Sequence, residues 1–308
     1  MNSLRNNLVI VSLCLGRIAG AQVTNSSMAT EDAFLCTGSA NYESGADLTG
    51  LNFGAAGTLV VAPASSANGE FQSVIKFNLA DGVAQFNSAY GSNNWTITGV
   101  TLDLTSNYGV GGVQPNNPIF PVISGGQFVI EWLSDDDWLE GTGTPNLPTT
   151  DGVCHNSLPA LLVPPREILC TNTYSPPGNN VHVFWPLPLT TNLVSDICGG
   201  GDVTFRVYAA DNQVGYLFNS YKYGRGNEPL IHVVATPLLK TFSAGFANGG
   251  FRLAGIGNNN TTYQIQASTN LATTNWLTIG TATADGNGNI LFDDVSATNA
   301  QCFYRFSQ

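Results

Sequence analysis

Short runs in which apolar and polar residues alternate recur along this chain, and they constrain its fold more than any other feature. In residues 73–79 (SVIKFNL), Ser73, Ile75, Phe77 and Leu79 share one face and Val74, Lys76 and Asn78 the other. Residues 100–105 (VTLDLT) and 203–208 (VTFRVY) repeat the pattern. Successive side chains of an extended strand point to opposite faces, so a period of two sustained over five or more residues marks a half-buried strand. Residues 127–133, 181–187 and 230–235 read as further strands, more apolar overall. No run has a convincing helical period. Turn-rich stretches separate the strands at 108–121, 140–156, 164–180 and 198–202. Two of these exceed the usual loop ceiling of about 12–15 residues, and long loops on a rigid scaffold are where binding sites usually sit. Strands without intervening helices predict an all-β chain, with a large antiparallel β-sandwich or jelly roll over residues 22–237.

A boundary is expected near Thr236-Pro237. Beyond it, residues 263–268 (YQIQAS), 276–280, 289–293 and 302–306 read as strands of a second, smaller β-sandwich over 238–308. The run Asp285-Gly286-Asn287-Gly288-Asn289 marks a turn between two of them.

Charge is scarce and leans acidic. Lys and Arg number 10, Asp and Glu 21, and the net charge is −11. No basic stripe exists to meet a phosphate backbone, which excludes nucleic acid as a partner. With 43 % hydrophobic residues the chain has enough apolar surface to fold. Residues 1–21 read as a secretory signal: Arg5, then the apolar core 8–16 (LVIVSLCLG), then Ala19-Gly20-Ala21 as the small-residue cleavage pattern. That core is too short to span a bilayer, which needs about 20 apolar residues, and no later stretch reaches spanning length. Cleavage before Gln22 leaves 8 basic against 21 acidic side chains. The expected location is secreted or at the cell surface.

Export gives the cysteines a meaning. Beyond Cys14 there are five: Cys36, Cys154, Cys170, Cys198 and Cys302. In an oxidising compartment one disulfide among Cys154, Cys170 and Cys198 is expected. Two other readings stay open: five free thiols, or zinc on Cys154, His155, Cys170 and Cys198, although no C-x-x-C spacing is present.

The familiar catalytic motifs are missing: no G-x-S-x-G, no H-E-x-x-H, no phosphate loop. His155, His182 and His232 stand apart in sequence and read as structural or surface residues, and nothing in the sequence supports a Ser-His-Asp triad. Asp135, Asp136, Asp137 and Glu140 form the one dense acidic cluster. Hard oxygen ligands at this density suit calcium, with Asp135, Asp137 and Glu140 as ligands. The cluster reads equally as a solvated turn, or as an acid/base pair for glycoside cleavage if two carboxylates stand at the required separation. Aromatics provide the other candidate. Trp138 lies in this acidic loop, and Tyr216, Asn219, Tyr221 and Tyr223 cluster near Lys222 and Arg225. Flat rings beside hydrogen-bonding groups suit a sugar, whereas alternation of Tyr221 and Tyr223 also fits a strand packed on the core.

Residues 128–133 (FVIEWL) followed by 137–145 (DWLEGTGTP), together with 150–153, 215–220 and the closing 228–233 (EPLIHV), resemble secreted bacterial proteins with a DNRLRE-type β-sandwich. The resemblance spans roughly residues 22–237, with Trp138-Leu139-Glu140 a loose form of the family's tryptophan-serine-glutamate pattern. It implies a carbohydrate-binding-module-like domain whose partner is a polysaccharide or cell-surface glycan. The tail, with residues 263–271, Trp276 and 303–305 (FYR), resembles a fibronectin type III-like module. Together these readings predict an exported, non-catalytic carbohydrate-binding protein. A structural surface protein and a polysaccharide lyase or hydrolase are the alternatives.

Overall fold

In a computed structural model of the protein, residues 22–38, 46–92, 94–107, 117–238, 241–247, 250–257, 260–270, 275–297 and 302–307 are described. The signal segment 1–21, with Cys14, lies outside them. The described residues form two compact units. The larger holds Thr24–Val83 and Ile97–Val234, and the smaller holds Ala84–Thr96 and the described residues from Ala235 on.

The strands lying wholly or mostly in the larger unit are β1 (Val23–Cys36), β2 (Thr58–Val61), β3 (Phe71–Asn78), β4 (Trp95–Thr105), β5 (Gly126–Leu133), β6 (Arg166–Tyr174), β7 (His182–Leu187), β8 (Asp202–Ala209), β9 (Tyr216–Asn219) and β10 (Leu230–Pro237). Eight of them hydrogen-bond in the order β6-β5-β8-β3-β1-β10-β4-β7, and β2 pairs with β9. β1 is the joint. Its second half runs antiparallel to β3 from Ala29 opposite Phe77 to Cys36 opposite Phe71, with an irregularity between Ala29 and Glu31. β1 stands between β3 and β10 and so links the β6-β5-β8-β3 and β10-β4-β7 parts of the sheet. Aromatic contacts define the space between the layers. Phe128 of β5 meets Trp185 of β7 edge-on, with centroids 4.9 Å apart, and Tyr174 of β6 stacks on Tyr216 of β9 at 3.9 Å. Phe34, Ile75, Phe77 and Phe205 fill the same interior and are fully buried. The all-β sandwich class expected from the alternating runs is what the chain adopts.

The opposite face of β3, β8 and β5 is also covered, and it carries charge. Glu131 is buried and accepts from Arg166 at 2.6 Å and Arg206 at 2.8 Å, while Arg206 donates to Gln72 at 2.7 Å. A buried carboxylate needs such partners to offset its lost hydration. Beside this network Trp138, Val153, Leu158 and Leu161 pack on Ala33, Leu35, Val74 and Leu133.

Helices occur where none was expected. α1 (Ala80–Tyr90) starts where Asn78 Oδ1 accepts the Ala80 N–H at 3.2 Å, and Leu79, Gly82, Phe86 and Tyr90 are buried at helical spacing. α2 (Leu158–Leu161) is a single turn. α3 (Thr191–Gly199) is capped by the Thr190 hydroxyl at the Leu193 N–H, buries Leu193 and Ile197, and ends on Gly200 in the left-handed region (φ 70°). Both longer helices are only about three turns, so their apolar stripes hold too few residues to stand out from the strand pattern.

In the smaller unit β11 (Thr241–Ala247), β12 (Gly250–Ile256) and β15 (Asn289–Asp294) form one three-stranded sheet. β13 (Thr262–Ser268), β14 (Leu277–Thr283) and β16 (Phe303–Ser307) form another. Phe251 and Leu253 of the first pack against Ile265 and Tyr304 of the second, with Phe251 stacked on Tyr304 at 5.1 Å.

The expected disulfide is absent among the described residues: Cys36, Cys154, Cys170, Cys198 and Cys302 are free thiols. Cys154 precedes a 3-10 turn (His155–Ser157), Cys170 lies within β6, and Cys198 closes α3. Closeness in sequence did not translate into a shared element.

Candidate functional site

The acidic loop turns its tryptophan inward. The Asp137 N–H donates to Asp135 Oδ1 at 3.0 Å, a local side-chain-to-backbone bond just before Trp138. The indole is only 5 % exposed. Its Nε1–H donates to Thr204 Oγ1 at 3.1 Å, and the Lys76 ammonium stands 4.6 Å from the ring centroid. Trp138 is therefore a core residue and offers no free ring face to a sugar. Tyr216 and Asn219 are likewise fully buried, on β9. Tyr221 and Tyr223 are half-buried, and the expected strand there is a 3-10 turn (Tyr221–Tyr223) capped by the Ser220 hydroxyl at the Lys222 N–H. The alternation that placed the two rings on one strand face does not apply to that turn.

The structure brings one expected metal ligand and one expected sugar contact together. Glu140 Oε2 accepts the Tyr221 hydroxyl at 3.1 Å and pairs with Lys222 Nζ at 3.0 Å, and Lys222 also donates to the Tyr221 oxygen. Glu140 Oε1 accepts the Asp32 N–H at 3.2 Å. Asp32 itself is buried, and its Oδ2 accepts the Tyr221 N–H at 2.7 Å. Burial pushes the Asp32 carboxyl up to about 7, against the hydrogen bonds from Tyr221 and Ser220 and with the neighbouring Glu140 charge adding to the rise. With both oxygens engaged, Glu140 does not join Asp135 and Asp137. Among the described residues no three His, Cys, Asp or Glu side chains are grouped to hold a metal ion. Asp136, between the two expected ligands, accepts the Thr204 hydroxyl at 2.6 Å and lines an open cleft of about 470 Å³ with Asp196, Asp202 and Trp132. Burial and the nearby Asp196 and Asp202 charges push Asp136 up to about 6, against the bond from Thr204.

A second cleft, of about 490 Å³, lies among the segments 62–68, 118–124 and 212–214. Its walls are built by side chains that staple loops together. Asn68 Nδ2 donates to the carbonyls of Pro118 at 2.8 Å, Ile119 at 2.9 Å and Phe120 at 3.2 Å. Ser124 and Gly215 exchange backbone hydrogen bonds at 3.0 Å in both directions. Asp211, behind this wall, has its carboxyl held below the ordinary range: some burial raises it, but the N–H groups of Gln213, Val214 and Gln127 outweigh that. Among the described residues no charged side chain lines the cleft. Its surface is hydroxyl and amide from Ser65, Ser66, Asn212 and Gln213, and apolar from Phe120 and Val122. Cavities of this size accommodate a small ligand or a short polymer segment.

Two of the three histidines that stand apart in sequence, His182 and His232, meet on one sheet face, while His155 lies in a 3-10 turn with its Nε2 3.4 Å from Glu70 Oε2. On β4, Asp103 is buried at 2 % exposure, with both carboxylate oxygens 3.0–3.1 Å from His182 Nδ1 of β7. His232 Nε2, on β10, lies 3.6 Å from Asp103 Oδ2, and its Nδ1 is 2.7 Å from Ser26 Oγ on β1. The exposed Phe184 ring lies 6.3 Å from His182 and 6.1 Å from His232, centroid to centroid. Each of these residues sits on a strand whose alternation is readable. The strand order β1-β10-β4-β7 that aligns them is not.

No family model matches the chain, and no curated protein sequence does. Among solved structures, a β-glucuronidase from Ruminococcus gnavus shares 8 % identity at a TM-score of 0.21 over 97 % of this chain. The chain corresponds to 45 % of that enzyme's length.

Proposed function

We propose that the larger unit is a carbohydrate-binding module of an exported protein and that it takes a neutral glycan in the cleft among residues 62–68, 118–124 and 212–214. The observation that carries this reading is the lining of the cleft: amide and hydroxyl groups beside apolar surface, with no charged side chain among the described residues. Sugars present the matching chemistry, hydroxyls around apolar C–H faces. An uncharged wall avoids the desolvation cost that a buried ion would impose on a ligand without charge to repay it. The sandwich fold and the resemblance to carbohydrate-binding modules point the same way, whereas Trp138 and Tyr216, being core residues, have no part in it. The test is affinity electrophoresis of residues 22–308 on β-glucan, xylan and mannan, with alginate as a charged control. Retardation on a neutral polysaccharide is expected, reduced about tenfold in affinity by the double substitution Asn212→Ala with Gln213→Ala. Unchanged binding in that variant, or retardation on alginate alone, refutes the cleft as the site.

A further inference from the structure

We infer that Ser26, His232 and Asp103 form a nucleophilic triad for small carboxylic esters, on a sheet face separate from the neutral cleft. Three neighbouring strands supply the three groups, so hydrogen bonding within the sheet fixes their spacing. Ser26 Oγ lies 2.7 Å from His232 Nδ1, within the reach a base needs to take the hydroxyl proton. With Nδ1 as the acceptor of that contact, the imidazole proton sits on Nε2, which is buried, makes no hydrogen bond among the described residues and lies 3.6 Å from Asp103 Oδ2, an ion-pair distance. Exposure is graded as the roles require. Ser26 is open to solvent, the His232 side chain is 24 % exposed, and the Asp103 side chain is 3 % exposed. His182 holds both Asp103 oxygens in place at 3.0–3.1 Å. The exposed Phe184 ring beside His232 and the exposed Met28 two residues along β1 supply apolar surface for an acyl or alkyl group. A triad is recognised by geometry and roles, not by order in the sequence.

In the reaction Ser26 Oγ forms a bond to the ester carbonyl carbon as its proton passes to His232 Nδ1. Asp103 stabilises the imidazolium. The bond from carbonyl carbon to alkoxy oxygen then breaks, and the leaving alcohol takes the proton from Nδ1. Water, activated by the same nitrogen, hydrolyses the acyl-serine to the carboxylic acid and restores Ser26. The sum is ester plus water giving acid plus alcohol. Backbone N–H groups beside Ser26 belong to a sheet and form no dedicated oxyanion pocket, so covalent capture is the informative readout and rapid turnover is not expected.

The test is incubation of residues 22–308 with a fluorophosphonate probe, followed by peptide mapping. The expected result is an adduct on Ser26, absent in Ser26→Ala, retained in Ser27→Ala, and formed at least about tenfold more slowly in His232→Gln. Ser26→Ala changes an exposed hydroxyl, and melting curves show whether His232→Gln keeps its fold. If His232→Gln unfolds, Asp103→Asn takes its place with the same slowing expected. No adduct, an adduct on another residue, or a Ser26 adduct that forms equally fast in a folded His232 or Asp103 variant would overturn the assignment.

Discussion

The backbone N–H of Tyr221 donates to Asp32 Oδ2 at 2.7 Å, joining a 3-10 turn to the first strand through a carboxyl group that water does not reach. The other oxygen, Oδ1, has no hydrogen-bond partner among the described residues. Burial raises this carboxyl from 3.8 to about 7, so the folded chain holds a proton there that the unfolded chain releases near pH 4. Between those values the folded state binds more protons, and stability falls as pH rises. The contribution of Asp32 is thus fully present below about pH 4 and lost as pH rises through about 7. The expected outcome is that Asp32→Asn, which keeps an acceptor for Tyr221 without the charge, raises Tm relative to the parent by clearly more at pH 8.5 than at pH 5. Paired melting curves at the two pH values check this, and an equal shift at both would contradict it.

Trp138 is expected to matter for stability. Its indole fills the space over Ala33, Leu35, Val74 and Leu133 and satisfies Thr204. Trp138→Ala removes a buried aromatic and leaves a cavity, a change that costs about 3–5 kcal/mol. Lys76 loses the ring beneath its ammonium in the same step. Urea denaturation measures the loss. A change below about 1 kcal/mol would show that the ring is not packed as described.

The strands were legible in the sequence because burial of one sheet face writes a period of two into the residues. Ile75, Phe77 and Phe205 could be assigned to an interior from that pattern alone, and they line it. Trp138 was misread for a physical reason. Three aspartates and a glutamate around it suggest a solvated loop, yet Glu140 and Asp136 are themselves engaged by neighbouring groups and the indole is held inward by Thr204 and Lys76. The strand reading of Tyr221 and Tyr223 failed because a 3-10 turn of three residues carries no periodicity. The grouping of Ser26, Asp103, His182 and His232 depends on which strands are neighbours. That order pairs strands far apart in sequence and leaves no local mark.

Asn52 is expected to be the residue on which the 137–153 loop depends. Its Nδ2 donates to the carbonyls of Glu140 at 2.6 Å and Val153 at 2.8 Å, and its Oδ1 accepts from Gly54 at 3.1 Å and Gly143 at 3.0 Å. The amide is fully buried, so removing it strands several backbone groups at about 1–3 kcal/mol each. The backbone packs as tightly as the amide. A Cβ on Gly143 would lie 1.9 Å from the Asn52 carbonyl oxygen, and neither backbone can give way easily. Asn52→Ala and Gly143→Ala should each lower Tm and increase proteolytic cleavage within 137–153 before global unfolding. Limited proteolysis with mass mapping checks both, and a parental cleavage pattern in either variant would count against this role.

Thiol chemistry separates the cysteines by burial. Cys36 is fully buried on β1, and burial pushes its thiol up to about 12, with the Gly38 backbone hydrogen bond only partly opposing. The thiolate is the reactive form, so Cys36 has neither the charge state nor the access to react in the folded chain. Cys198, at the end of α3, is exposed, although partial desolvation raises its thiol as well. Cys170 is half-buried, its thiol raised by burial against a hydrogen bond from Asn172 Nδ2, which reaches the sulfur at 3.1 Å. Alkylation of reduced residues 22–308 at pH 8.5 should modify Cys198 first and Cys170 more slowly. Cys36 should react only in denaturant. Peptide mapping over a time course reads the order. Modification of Cys36 in the native chain at a rate close to that of Cys198 would mean that β1 opens far more readily than its position at the centre of the sheet implies.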